Sequence, residues 1–175
     1  MTRVAAVLGS LGLLAGVAAC GSSSPSTNPS PTPYVFTAQL LPANELGNIN
    51  GGETSGSGTV TVTMNTTRDA AGNLTTANAT FDVTISGFPS TTNITLAHIH
   101  VGASGVNGGI VVSTTIASGD VTLTNGAGAF QKLNLNIQDL NLANQIINNP
   151  AGYYFNVHTT ANPGGVMRGQ LVRVQ

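Results

Sequence analysis

Three histidines occur in the chain. Two of them, His98 and His100, lie one residue apart in the stretch LAHIHVG at 96–102, and the third, His158, follows in FNVHTT at 155–160. On an extended strand residues i and i+2 point to the same face, roughly 6.5–7 Å apart. His98 and His100 therefore share one face, and Ala97, Ile99 and Val101 share the other. The same alternation sets Asn156 and His158 opposite Phe155 and Val157. The apolar residues are expected to take the core, leaving the histidines on the outer face or at the strand's end beside Gly102. If the two strands are neighbours, three imidazoles converge. Three nitrogens with an open fourth position suit zinc or copper, at about 2.0–2.1 Å per bond. The structural alternative is that the histidines hydrogen-bond within a polar surface or hold the adjacent loop.

No second catalytic set accompanies them. The sequence lacks a Gly-x-Ser-x-Gly elbow, a His-Glu-x-x-His helix and a phosphate loop. From residue 34 onward the charges are Arg68, Lys132, Arg168 and Arg173 against Glu45, Glu53, Asp69, Asp82, Asp120 and Asp139. The carboxylates are dispersed, so a glycosidase-type acid pair would have to be assembled by the fold. The positive charges form no basic patch, which excludes nucleic acid as a partner. Arg168, inside VMRGQL, needs a counter-charge, and Glu45 is the expected one, in a structural ion pair rather than a catalytic clamp.

The elements that position these residues belong to one domain. The first residues, 1–19, carry Arg3 and then an apolar run too short and too interrupted for the roughly 20 residues of a spanning helix, and read as a secretory signal. The run ends in Val17-Ala18-Ala19-Cys20, small residues before the only cysteine of the chain. Cys20 fits a bacterial lipobox, lipidated to become the mature N-terminus; a lone cysteine forms no internal disulfide. Residues 20–33 are a Ser/Pro-rich tether, extended and solvated. Acyl groups would hold the protein at the membrane of the cell envelope. Gly21 lacks the aspartate that commonly retains lipoproteins at the inner membrane, which favours the outer membrane or cell surface.

Residues 34–175 suit a single core. Period-two alternation dominates: strands are expected at 34–40, 58–64, 77–85, 94–101, 110–116, 120–124, 129–133, 153–159 and 166–174. Leu140, Leu142, Ile146 and Ile147 give 137–148 a partial helical face, ended by Asn149-Pro150. The expected fold is all-β, an antiparallel sandwich or barrel of about seven to nine strands with one short helix.

Taken together, FTAQLLPANE (36–45), AHIHVGASGVNGGIVV (97–112) and YYFNVHTTANPGGVMRGQL (153–171) resemble the CHRD domain first described in chordin. The resemblance spans nearly all of 36–174. It implies a β-rich domain, found in animal chordins, which capture bone morphogenetic proteins, and as solitary exported bacterial domains to which no reaction is attached. Asn44, Glu45, His98, His100, Gly108, Asn156, His158, Thr159, Asn162, Pro163, Gly164, Gly165, Arg168, Gly169 and Gln170 match the family pattern. Two departures stand out. Leu46-Gly47-Asn48 replaces a usual Val-Pro-Pro run, and Val166 replaces a glutamate after the glycine pair. The His-x-His strand is also similar to the copper-binding strand of copper-zinc superoxide dismutases. That family needs more histidines and a bridging ligand, so dismutase activity is not expected.

The leading expectation is a non-enzymatic, lipid-anchored binding or structural module that meets a protein partner through its sheet surface and glycine-rich loops. Its rival is a copper or zinc protein, carrier or small redox enzyme, using His98, His100 and His158. A carbohydrate surface would need exposed aromatics, and the chain has no tryptophan and three tyrosines.

Overall fold

A computed structural model of the protein describes Met1 and residues 32–175. The expected signal sequence, Cys20 and the tether up to residue 31 lie outside the described residues. The order is β1 (Thr32–Leu40), β2 (Ser57–Arg68), β3 (Leu74–Ser86), β4 (Ile94–Val101), β5 (Ile110–Ser113), β6 (Gly128–Asn136), α1 (Leu140–Asn148), β7 (Tyr153–Thr159), β8 (Met167–Gln170) and β9 (Val172–Arg173). Two antiparallel sheets form a sandwich, with strand orders β6-β3-β2-β1-β9 and β5-β4-β7-β8. The barrel alternative is not realised.

Threonine and apolar residues alternate along β2, and the pleat separates them. Val60, Val62 and Met64 are fully buried, while Thr59 lies outward and shares a 2.8 Å hydroxyl contact with Thr84 across the strand pair. From the second sheet, Ile99, Phe155, Val157 and Met167 point inward and are fully buried. The sheets meet ring to ring at Phe81 and Phe155, 5.9 Å apart. Burying each such side chain stabilises the fold by about 1.5–3 kcal/mol relative to exposure. The helix lies over the first sheet's β3. It starts later than 137 because the Asp139 carboxylate caps it, accepting from the backbone N–H groups of Asn141 and Leu142.

Three expected strands are shortened, lost or split, each for a local reason. The strand expected at 110–116 stops at Ser113, because Thr115 turns into the left-handed region at φ 61°. No strand forms at 120–124; Thr124 instead makes an isolated bridge with Ala127 around Gly126. The strand expected at 166–174 is split at buried Leu171, where the chain leaves the second sheet for the first, so that β8 pairs with β7 and β9 with β1. In the other direction β1 begins at Thr32, earlier than residue 34, with Thr32 opposite Thr66.

Candidate metal centre

The functional side chains stand on the outward face of the second sheet. The register sets His98 opposite Asn156, His100 opposite Tyr154, and Asn156 opposite Arg168, so β4, β7 and β8 present one continuous polar surface. The core took Ala97 and Ile99 as expected, but Val101 is 43% exposed, because β4 runs past the edge of the core there. The histidines do lie on the outer face, yet they are not surface groups. His98, His100 and His158 are only 2%, 9% and 6% exposed. Connecting segments fold back over them.

Two of those segments are held by the imidazoles themselves. His100 Nδ1 donates to the carbonyl of Gly108 at 2.8 Å, and His158 Nδ1 donates to that of Pro163 at 2.9 Å. A carbonyl only accepts, so each Nδ1 carries the proton and each Nε2 of the neutral ring keeps a bare lone pair. The expected loop-holding role is therefore real, and it orients the rings rather than exhausting them. In metal sites this is the usual outer partner of a ligating histidine. Tyr154 adds a flat support, stacked on His100 with centroids 4.8 Å apart.

The rings converge. His98 lies 4.6 Å from His100 and 4.5 Å from His158 by centroid, and one ligand atom from each of the three falls within 4.8 Å of the others. Nitrogens bound at about 2.0–2.1 Å in a tetrahedral site stand roughly 3.3 Å apart, so small side-chain rotations would close the triangle on an ion. Burial holds the His98 imidazole at about 3, with His158 and His100 adding to the effect. His100 and His158 are also lowered, chiefly by burial, against the raising effect of their carbonyl partners. All three rings are thus neutral at neutral pH, the form that ligates a metal.

Arg168 and Glu45 pair as the sequence suggested. The guanidinium donates from Nε at 2.8 Å and Nη2 at 2.5 Å to the same oxygen, Glu45 Oε2, and from Nη2 to Asn107 Oδ1 at 2.8 Å. Its plane lies over Tyr154, 4.4 Å from the ring centroid. Both side chains are nearly inaccessible, 6% and 3% exposed. The pair therefore ties β8 to the segments carrying Glu45 and Asn107, the latter next to Gly108. Above it opens a cavity of about 240 Å³ lined by Glu45, Arg168, Asn107 and the 162–165 turn.

Several residues had no positioning role legible in the sequence, Asn162 being marked only by its match to the family pattern. Glu53 is 2% exposed, and its carboxylate accepts from Thr92, Thr159 and Asn162 at 2.7, 2.6 and 2.7 Å. Asn162 in turn bonds Asn50 through backbone and side chain, tying the segment just before Glu53 to the turn that carries Pro163. Asn107 is the third such residue. Only a fold brings a glutamate to a threonine 106 positions away.

Among the described residues, six buried side-chain atoms have no hydrogen-bond partner: Nε2 of His98, His100 and His158, Oε1 of Glu45, Oδ1 of Asn156 and Nη1 of Arg168. All six belong to this one cluster. No curated protein matches the chain significantly. The domain model described as CHRD does match, over residues 36–171, which takes in every strand of the sandwich from β1 to β8 and each residue of the cluster. The chain belongs to the CHRD domain family.

Proposed function

We propose that this chain is a metal-binding CHRD module, anchored through lipidated Cys20 on the outside of a bacterial cell, that holds one copper or zinc ion between His98, His100 and His158. The observation that carries the reading is a trio of buried, neutral imidazoles whose ligand nitrogens lie within 4.8 Å of one another and whose Nε2 atoms have no hydrogen-bond partner. Histidines kept only for packing or for tethering loops satisfy both ring nitrogens, since an unsatisfied buried polar atom costs about 1–3 kcal/mol. A bound ion would take all three lone pairs. Imidazole ligands suit copper and zinc over magnesium or calcium, which prefer oxygen. Binding is the function this supports.

The test uses the full chain, purified in detergent and stripped with chelator. Copper and zinc are titrated into it and into a His98→Ala/His158→Ala variant whose fold is checked by circular dichroism. One ion per chain, retained through gel filtration and lost in the folded variant, is expected. Absence of stoichiometric binding in the unmodified protein would overturn the reading and return the sheet surface to the role of a protein-binding face.

A further inference from the structure

The three lone pairs of the triad account for half of the unpartnered atoms, and the other half have a chemistry of their own. Glu45 Oε1 and Asn156 Oδ1 are acceptors; Arg168 Nη1 is a donor. Each belongs to a side chain that is almost wholly buried, and Arg168 and Glu45 form the floor of the cavity of about 240 Å³. Glu45 is not itself a ligand, because the group of mutually close ligand atoms contains the three histidines alone. The two acceptors are close to one another. A Cβ built on Gly165 would sit 2.8 Å from Glu45 Oε1 and 2.9 Å from Asn156 Oδ1, so any side chain at 165 would fill the space they border. Gly165, at φ 124°, leaves it open.

We infer that the metal centre keeps an exchangeable fourth ligand, a water or a small inorganic anion, seated among Glu45 Oε1, Asn156 Oδ1 and Arg168 Nη1. The inference rests on the metal reading above. One metal-bound water satisfies the whole set: its oxygen takes the ion and the Nη1 proton, and its two hydrogens go to the two acceptors. Arg168 is fixed for this role. Its Nε and Nη2 are spent on Glu45 and Asn107, and the Tyr154 ring lies under its plane, so Nη1 alone is free to donate. A small inorganic anion can replace the water by accepting from Arg168 Nη1, at the cost of the two contacts the water makes to the acceptors. A protein built only to store an ion would close its fourth position with a side chain; this one borders it with a donor and two acceptors held away from the triad.

Sodium azide, titrated into the copper(II)-loaded full chain, is the probe. Each azide that enters displaces one water, and its bond to copper is read as a new charge-transfer absorption. One azide per copper is expected, with affinity weakened about tenfold or more in Arg168→Met, where a charge-assisted hydrogen bond is removed. Arg168→Lys keeps a cation opposite Glu45 if the methionine variant does not fold, and should also bind azide more weakly. Copper bound one-to-one with no azide absorption overturns the fourth-ligand inference and leaves metal binding standing. Equal azide affinity in unmodified and folded Arg168 variants overturns the role of Arg168 and with it the inference. Failure to bind copper at all sinks both.

Discussion

Acid unfolding of the metal-free protein should expose the buried imidazoles directly. His98 is held at about 3 in the fold, mainly by burial, with His158 and His100 reinforcing the effect. In an unfolded chain it titrates near 6.5. A depressed folded-state value means that, as pH falls, the unfolded chain takes the proton first. Stability is therefore complete above about pH 6.5 and is lost as pH drops from there toward the folded value. One proton is worth about 1.4 kcal/mol per pH unit and the unfolded ring is half protonated at pH 6.5, so His98 alone removes about 2 kcal/mol between pH 6.5 and 4.5. Its ring is only 2% exposed, so solvent screening takes little from that figure. His100 and His158 are shifted in the same direction, chiefly by burial, and steepen the loss. Asp69 also destabilises the fold in acid, because the Asn73 side chain holds its carboxyl below 3.8, but that loss begins beneath the chosen window. Urea unfolding of chelator-treated protein at half-unit pH steps gives the slope. His98→Phe keeps a ring in place and cannot be protonated, so its slope should be shallower by about one proton. A flat profile for the unmodified protein from pH 6.5 to 4.5, or equal slopes for the two proteins, would refute the reasoning.

Two further perturbations probe the frame around the triad. Arg168→Met leaves the Glu45 carboxylate charged and almost inaccessible, which should cost about 3–5 kcal/mol and lower the thermal midpoint by roughly 10 °C or more; adding Glu45→Gln should recover part of the loss, and a single-variant cost below about 1 kcal/mol would contradict the buried pairing. Glu53→Ala strips Thr92, Thr159 and Asn162 of a shared acceptor. It should speed amide hydrogen exchange across residues 159–165 and weaken zinc binding through the loosened Pro163 carbonyl, whereas unchanged exchange there would show that Glu53 does not position that turn.

Period-two patterning was enough to place the strands that carry the triad, because a one-residue slip along β4 would turn His98 and His100 into the core and Ala97 and Ile99 out of it. LAHIHVG and FNVHTT could thus be assigned their faces residue by residue. Their neighbour relation could not, since β4 and β7 pair across more than fifty intervening residues that carry β5, β6 and α1. Burial was the harder quantity. A histidine on the face away from the core is exposed in a bare sheet, and it is the segments around Asn107, Pro163 and Glu45 that change this. Those segments have no periodicity, and their geometry follows from long-range bonds such as the one from Asn162 to Glu53. The fate of 110–116 and 120–124 has a related cause. Both stretches have strand composition, but left-handed residues at Thr115 and Gly126 turn the chain before a ladder can form.

The distribution of unsatisfied groups separates this cluster from an ordinary polar surface. Elsewhere among the described residues the buried side-chain polar atoms have partners: Thr114 donates to the Ala97 carbonyl at 2.6 Å, and Glu53 collects three donors. Six unpartnered atoms stand in one place, and each left without any partner would cost about 1–3 kcal/mol, against the 5–15 kcal/mol by which a whole domain is stable. Packing alone gives no reason to bear it. Apolar side chains on the same face of β4, β7 and β8 would fill the space under these segments without any such penalty. Backbone constraints do not force it either, because the two carbonyl bonds from His100 and His158 need only Nδ1. What the arrangement does supply is three imidazoles with ligand nitrogens within 4.8 Å of one another, with a fixed cation and two acceptors in the same cluster. On the proposed reading, the stability withheld from the empty fold is returned on binding, so ligand and fold are coupled through the same six atoms.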